Sequence, residues 1–376
     1  MSTTAIENFL ESEEEYDFQK WLEEEIDIEE DTPEKEIEKE DIPIEDLLVN
    51  SNIKPDELND IEKEMYYTIL NSDKVAWERG EGFSTGFKLL DDKFMGIQSG
   101  LVFVGAQSNV GKSSFLLYVA NQSSIAGDVY SLYFSFDDGS KDLLPRIVAS
   151  EKNIPINAIR LPERYLDYPT ILEKRKDGIR DLYSSLDRFK IIDQDKGKSI
   201  ELVEKEVEKH LNYLEEIGSD RKLFVQIDNF HDLTSEDKTY YSEKEKYSDI
   251  ADRLRNLSEK FNIPIWCTAE LRKGSSGHTN VRPVKEDIKE AGKIGYRATA
   301  CLMLYNEVGL EQQNAAVFYR SQDRPGKNPI VEVHFDKNKQ SSYKGRLYYK
   351  FVPEYALFVE ATEGEVEYYN NLIYQN

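Results

Sequence analysis

Histidine, cysteine and long apolar runs are all scarce in this 376-residue chain. Four histidines and two cysteines, with no paired Cys/His spacing, leave no ligand set for a structural zinc. Cys267 and Cys301 both sit inside apolar runs that read as strands, so two buried thiols are expected rather than a disulfide. No stretch approaches the roughly 20 apolar residues that span a bilayer, and the N-terminus is acidic where an export signal would be basic and then apolar. Together these absences predict a soluble protein of a reducing, cytoplasmic compartment with no membrane partner.

Positive charge is also short, but unevenly so. The formal net charge is −25, from 73 acidic and 48 basic side chains. Residues 1–64 carry 25 acids against 5 bases, which leaves the other 312 residues at only −5. A near-neutral body with an acidic tail remains compatible with a nucleic-acid partner. Residues 1–52 are rich in Glu, interrupted by Pro33 and Pro43, and poor in core-forming residues, so they read as a mostly disordered tail. Within that tail Ile6, Phe9 and Leu10, then Phe18, Trp21, Leu22 and Ile26, recur at helical spacing. A solvated charged segment, a short partner-binding helix and a mimic of nucleic-acid charge all fit. Residues 53–79 read as a linker helix, with Leu58, Ile61, Met65 and Ile69 on one face and Pro55 suited to its first turn.

From residue 80 onwards the pattern alternates strand and helix. Strands are expected at Leu101–Gly105, Tyr130–Phe136, Phe189–Asp193, Leu223–Asp228, Ile263–Thr268 and Ala300–Tyr305. Helices fall between them, near 141–152, 200–217 and 243–261. Such βαβ alternation predicts an α/β domain over 80–376, built on a mainly parallel sheet with helices on both faces. Four later runs, at 315–319, 330–335, 346–351 and 356–359, read as short strands of an antiparallel extension at the sheet edge.

The first strand leads into Ala106-Gln107-Ser108-Asn109-Val110-Gly111-Lys112-Ser113-Ser114. A turn of this kind at a helix start aims backbone N–H groups and the positive helix end at phosphate oxygens. Gly111 lets the backbone approach, Lys112 adds charge for the outer phosphates, and the Ser113 hydroxyl suits Mg²⁺. Ala106 stands where the usual spacing has glycine, and Gly105 is one residue early. Asp228 closes the apolar run Leu223–Ile227 and is the candidate second acid for the metal's water shell; a turn or cap residue is the plainer alternative. Asp137 and Asp138 follow another strand, whose alternation would turn only one of them to the phosphate. Asp137 is chosen to orient the attacking water.

Ordered motifs extend beyond these. Phe83-Ser84-Thr85-Gly86-Phe87-Lys88-Leu89-Leu90-Asp91-Asp92, Gly100-Leu101, Ala106 to Ser113, Tyr133 to Asp137, Ala149-Ser150-Glu151, Ile227 to His231, Ile263 to Leu271, Arg282-Pro283 and Asp287 to Ile294 occur in sequence. This series resembles the motor domain of DnaB-like replicative helicases over about residues 80 to 360. The resemblance implies a RecA-like P-loop ATPase core, the cofactors ATP and Mg²⁺, and a homo-oligomeric, hexameric ring acting on single-stranded DNA in replication. It also implies that His231 and Glu270 report the γ-phosphate to the DNA loops. Lys337 would complete a neighbour's site, with Lys339 where an arginine finger is expected and Arg324 or Arg346 as substitutes.

Pore contacts to DNA phosphates would come from Arg272, Lys273, Lys285, Lys289 and Lys293, though a solvated loop is the plainer reading of the Gly/Ser-rich segment around Lys273. Three positions depart from the family pattern: Asp137 for Glu, His231 for Gln and Lys339 for Arg. The family's N-terminal primase-meeting domain is replaced by the acidic tail, pointing to a reduced, phage-type member working in bacterial or infected-host cytoplasm, its tail free to bind a replication protein. Two readings follow: a helicase motor, and a RecA-like nucleotide switch, such as a recombination mediator or replication adaptor, that binds ATP and DNA with little or no unwinding. A metabolic kinase on the same fold would need an acceptor pocket and lid that the sequence does not offer.

Overall fold

The computed structural model describes residues 54–79, 82–272, 282–290, 294–321 and 324–374. The expected acidic tail, and with it residues 1–52, lies outside these, as do Lys273 and Lys293. Two compact units divide the chain, one of residues 1–81 with 321–325 and one of 82–320 with 326–376. In the first, Pro55 opens a 3-10 turn, Pro55–Glu57, rather than the α-helix itself. Helix α1, Asp60–Arg79, follows. Asn59 Oδ1 accepts from the Glu62 N–H at 3.0 Å and Glu62 Oε2 accepts from the Asn59 N–H at 2.9 Å, a reciprocal capping box. Ile61, Met65 and Ile69 of this helix are exposed.

The second unit begins with α2 (Lys88–Phe94), β1 (Gly100–Ala106), α3 (Lys112–Ala126), β2 (Val129–Ser135), α4 (Ser140–Lys152), α5 (Ile156–Arg160) and α6 (Pro169–Ser184). It continues with β3 (Phe189–Asp193), α7 (Ile200–Glu216), β4 (Lys222–Asp228), α8 (Glu243–Phe261), β5 (Pro264–Glu270), the single turn α9 (Ile294–Arg297) and β6 (Ala300–Tyr305). Then come β7 (Phe318–Ser321), β8 (Arg324–Asn338), β9 (Arg346–Val352), β10 (Leu357–Glu360) and α10 (Glu363–Tyr374). All ten strands join one sheet in the order β10-β9-β8-β6-β1-β5-β4-β2-β3, with β7 beside β8. The ladders from β6 to β3 are parallel, and those joining β6, β8, β9 and β10 are antiparallel.

Strands buried on both faces explain the near-continuous apolar runs. Alternation along each strand sends Val102, Val104, Tyr133, Phe224 and Trp266 to one face, where they pack with Phe115, Leu116 and Val119 of α3. Phe103, Phe134, Val225, Ile227 and Cys267 face the other way, against Val203 and Val207 of α7 and Ile250 and Leu254 of α8. Both cysteines are buried free thiols, and burial pushes Cys301 up to about 12. Among the described residues no helix is long and apolar enough to cross a membrane.

Some elements differ from the sequence expectation. Helices α5, α6 and α10 have no counterpart in it; each has one buried residue among those described, Ala158, Gly178 and Tyr369 respectively. Strand β7 starts at Phe318 rather than Ala315, since the Val317 N–H is taken by Glu307 Oε2 at 3.0 Å. The directions of the strands matter most for function. Every parallel strand ends at the same edge as Ala106, whereas β8 runs the opposite way. Asn338 pairs with Ala300, and Ala300 in turn pairs with Val102 near the start of β1.

Candidate active site

Buried β1 delivers the chain to an exposed turn at Gln107, Ser108 and Asn109, then to buried Val110 and half-buried Gly111, Lys112, Ser113 and Ser114. Asn109 has φ 65° and Gly111 φ 110°, so two left-handed residues curl the turn. Gly111 precedes α3 without a side-chain cap, leaving the first-turn N–H groups of that helix to an outside acceptor. The early glycine has a packing reason: a Cβ on Gly105 would stand 2.7 Å from Met303 Cε of β6. Asn306 Nδ2 donates to Val110 O at 3.4 Å and supports the turn from the β6 side.

Asp228 ends β4, two strands from β1 across β5. The three strands are parallel, so Asp228 and Lys112 stand at the same edge of the sheet. Asp228 also shares the face of Phe224, the face that α3 covers. Its carboxylate is only 1% exposed. Tyr133 OH donates to Oδ2 at 3.1 Å and Thr268 Oγ1 donates to Oδ1 at 2.5 Å. Neither hydroxyl stands out in the sequence, because Tyr and Thr are ordinary strand residues and their value here comes from flanking Asp228 in space.

Strand alternation does not decide between Asp137 and Asp138. Strand β2 stops at Ser135, and both acids lie beyond it. Asp138 is held by Arg146 at 2.8 Å, while Asp137 is exposed. Arg146 lines a shallow cleft with Ser114, Tyr118, Asn121 and Ser150, a cation beside the turn that sequence reasoning does not single out. On the far side, half-buried Asp232 is pushed up by burial and, among its neighbours, by Asp137, Glu270 and Asp228, with Lys198 opposing them.

His231 joins three segments. Its Nδ1 lies 3.1 Å from the Glu270 N–H and its Nε2 2.9 Å from Lys289 O. The first partner can only donate and the second only accept, so the ring is neutral with its proton on Nε2. Burial holds its pKa below the usual histidine value. Asn229 Oδ1 accepts from the His231 N–H at 2.8 Å, and Asn229 Nδ2 donates to Glu270 Oε1 at 3.3 Å. Beyond β5, Arg272 N donates to Asp287 O and Lys289 N to Glu270 O, both at 2.8 Å. This strip gathers Arg272, Lys285 and Lys289 on either side of residues 273–281. Lys285 is engaged within the chain by Glu286 at 2.9 Å and Asp336 at 3.1 Å, and Lys289 stands 3.7 Å from Glu270 Oε2.

Lys337 and Lys339 lie at the opposite edge of the sheet from Lys112. Lys337 Nζ donates to Gly295 O at 2.7 Å and Tyr296 O at 3.0 Å, and burial with nearby Lys339 pulls its pKa down. Lys339 is exposed. Arg346 faces Glu332 at 3.8 Å within the chain.

A family model described as the DnaB-like helicase C terminal domain matches residues 82–359. A probable replicative DNA helicase of Trieres chinensis is 28% identical over 265 residues, 68% of this chain and 56% of that protein. The replicative DNA helicase DnaC of Bacillus subtilis is 24% identical over 280 residues, 74% of this chain and 56% of that one. The chain thus spans about half the length of the curated relatives it matches. Among solved structures, a DnaB-like replicative helicase superposes with a TM-score of 0.67 at 20% identity, covering 85% of this chain and 74% of that one. That likeness establishes a RecA-like fold. With most of its length matched by the family model, the chain belongs to the DnaB-like helicase C-terminal domain family.

Proposed function

We propose that this chain is the motor of a ring-forming DNA helicase, which hydrolyses ATP with Mg²⁺ and moves along single-stranded DNA during replication. What supports the reading is that the Gly111–Lys112–Ser113 turn and Asp228 lie at the same edge of the sheet, with Asp228 on the face that α3 covers. The donor set suits a metal–triphosphate: uncapped N–H groups, an ammonium, a hydroxyl and a buried carboxylate.

When bound, Mg·ATP would supply the electrophilic γ-phosphorus, with ADP as the leaving group. The backbone from Ala106 to Ser114 cradles phosphate oxygens, and Lys112 neutralises the outer ones. Ser113 Oγ and Asp228 hold the metal and its water shell. Asp137 accepts a hydrogen bond and then a proton from the attacking water. Lys337 and Lys339, remote from their own turn, serve the neighbouring subunit's site in a hexamer, Lys339 as a point charge in place of a planar fork. His231 and Glu270 couple that chemistry to Arg272, Lys273, Lys285, Lys289 and Lys293, which grip DNA phosphates. In this account residues 80–376 are the motor, 53–79 a linker and 1–52 an acidic tail that binds a replication protein, all in the cytoplasm. The relatives do not favour the nucleotide-switch alternative.

The test is ATP hydrolysis and strand separation by purified protein with and without single-stranded DNA, with Lys112→Ala as control. Stimulation by DNA supports the motor; a wild-type rate indifferent to DNA refutes it.

A further inference from the structure

Asp228 is gripped from both sides. Strand β2 flanks β4 on one side, with Ser135 paired to Asp228 and Tyr133 to Gln226, so the Tyr133 phenol reaches along the strand to Oδ2. Strand β5 flanks it on the other, where Cys267 pairs with Ile227 and the next residue, Thr268, meets Oδ1. Thr268 is itself paired with Val104 of β1, two residues before the phosphate turn begins at Ala106. Both hydroxyl residues are fully buried within the sheet. A hydroxyl in such a core is strongly penalised unless it has an acceptor, and Phe or Val would fill the same spaces without one. Each carboxylate oxygen therefore gives one lone pair to a protein hydroxyl and keeps another for a ligand.

We propose that Tyr133 and Thr268 are positioning residues, paired hydroxyls from the two flanking strands that hold the Asp228 carboxylate in the orientation in which it takes the metal's water. The inference rests on the function proposed above and deepens it. Neither residue touches substrate. Their work is to fix the rotamer of an acid that otherwise hangs at a strand end, as outer partners of metal ligands do elsewhere.

The experiment measures the equilibrium affinity of full-length protein for the slowly hydrolysed analogue ATPγS, by calorimetry, once in excess Mg²⁺ and once in EDTA. The ratio of the two affinities reports what the metal adds. In Tyr133→Phe with Thr268→Val, that ratio is expected to fall by about tenfold or more, the size seen when outer partners of metal ligands are removed. Affinity in EDTA stays within about twofold, because phosphate contacts through Lys112 are intact. Thr268→Ser, which keeps the hydroxyl, restores most of the ratio lost in Thr268→Val. A general loosening of the fold would instead weaken binding in EDTA as well, and that result overturns the positioning role. If the double variant does not fold, the Thr268→Val and Thr268→Ser pair carries the comparison alone. An unchanged ratio in the folded variants overturns the positioning role while leaving the phosphate site standing. A wild-type chain whose affinity ignores Mg²⁺ overturns that site and this inference together.

Discussion

Replacing His231 by Ala should release the joint between the end of β5 and the segment around Lys289. The ring makes two bonds, at 3.1 Å to the Glu270 N–H and 2.9 Å to Lys289 O, and both partners belong to backbone that is otherwise tied together. Stranding a buried donor or acceptor costs about 1–3 kcal/mol. At about 1.4 kcal/mol per tenfold, protection of the Glu270 amide should fall roughly 5- to 150-fold, with Arg272 and Lys289 following because their N–H bonds cross the same strip. Hydrogen exchange followed by mass spectrometry on peptides spanning 267–272 and 285–290 measures this directly.

Acid should mimic the mutation. Protonation puts a hydrogen on Nδ1, facing the Glu270 N–H, and the fold resists it: burial, with Lys289 and Lys246 nearby, holds the pKa below the ordinary 6.5 against the pull of Lys289 O and the Glu270 carboxylate. A base whose folded pKa is depressed contributes stability that is present above 6.5 and lost as pH falls through the folded value. Exchange protection, corrected for intrinsic rates, should therefore hold near neutrality and drop on the acid side of 6.5. In His231→Gln the drop should vanish, because an amide does not titrate. Equal pH dependence in the wild type and His231→Gln would refute the joint.

Arg282 is clamped by Glu332 at 2.8 Å through both carboxylate oxygens and by Glu307 at 2.9 Å, and both acids are buried. Arg282→Met takes the shared cation from two buried carboxylates, leaving Glu332 with Arg346 at 3.8 Å and Glu307 with backbone N–H groups, and should lower stability by about 3–5 kcal/mol, read as a shift of the urea midpoint; no shift would show that the clamp contributes nothing. Since Lys112 and Lys337 stand at opposite edges, Lys112→Ala and Lys337→Ala chains, each inactive alone, should recover part of the ATPase when mixed, because some interfaces then pair two intact halves. Absence of recovery in confirmed mixed oligomers would refute action between subunits. Removing residues 1–52 should leave folding and ATP binding unchanged while altering DNA or partner affinity, and an insoluble core would contradict this.

The parallel sheet is legible because each central strand is a short apolar run bounded by a turn, and because Gly111-Lys112-Ser113 and the run ending at Asp228 carry their chemistry in local spacing. What lies beyond the sequence depends on neighbours in space. Tyr133 and Thr268 gain meaning only when β2 and β5 flank β4. Alternation cannot choose between Asp137 and Asp138, since the chain has already left the strand, and it is Arg146 that separates them. Helix α6 fully buries only Gly178, and its apolar residues Ile171, Leu172, Ile179 and Leu182 stay half-buried. The remoteness of Lys337 from Lys112 follows from the reversed direction of β8, which no run of residues announces.

The most direct test is an image of the assembled particle with Mg²⁺, an ATP analogue and an oligonucleotide. Phosphates should lie in the turn at Lys112, a metal-bound water should touch Asp228, and Lys337 of one subunit should face the next subunit's nucleotide. Nucleotide bound elsewhere, or a metal shell that leaves Asp228 untouched, would contradict it.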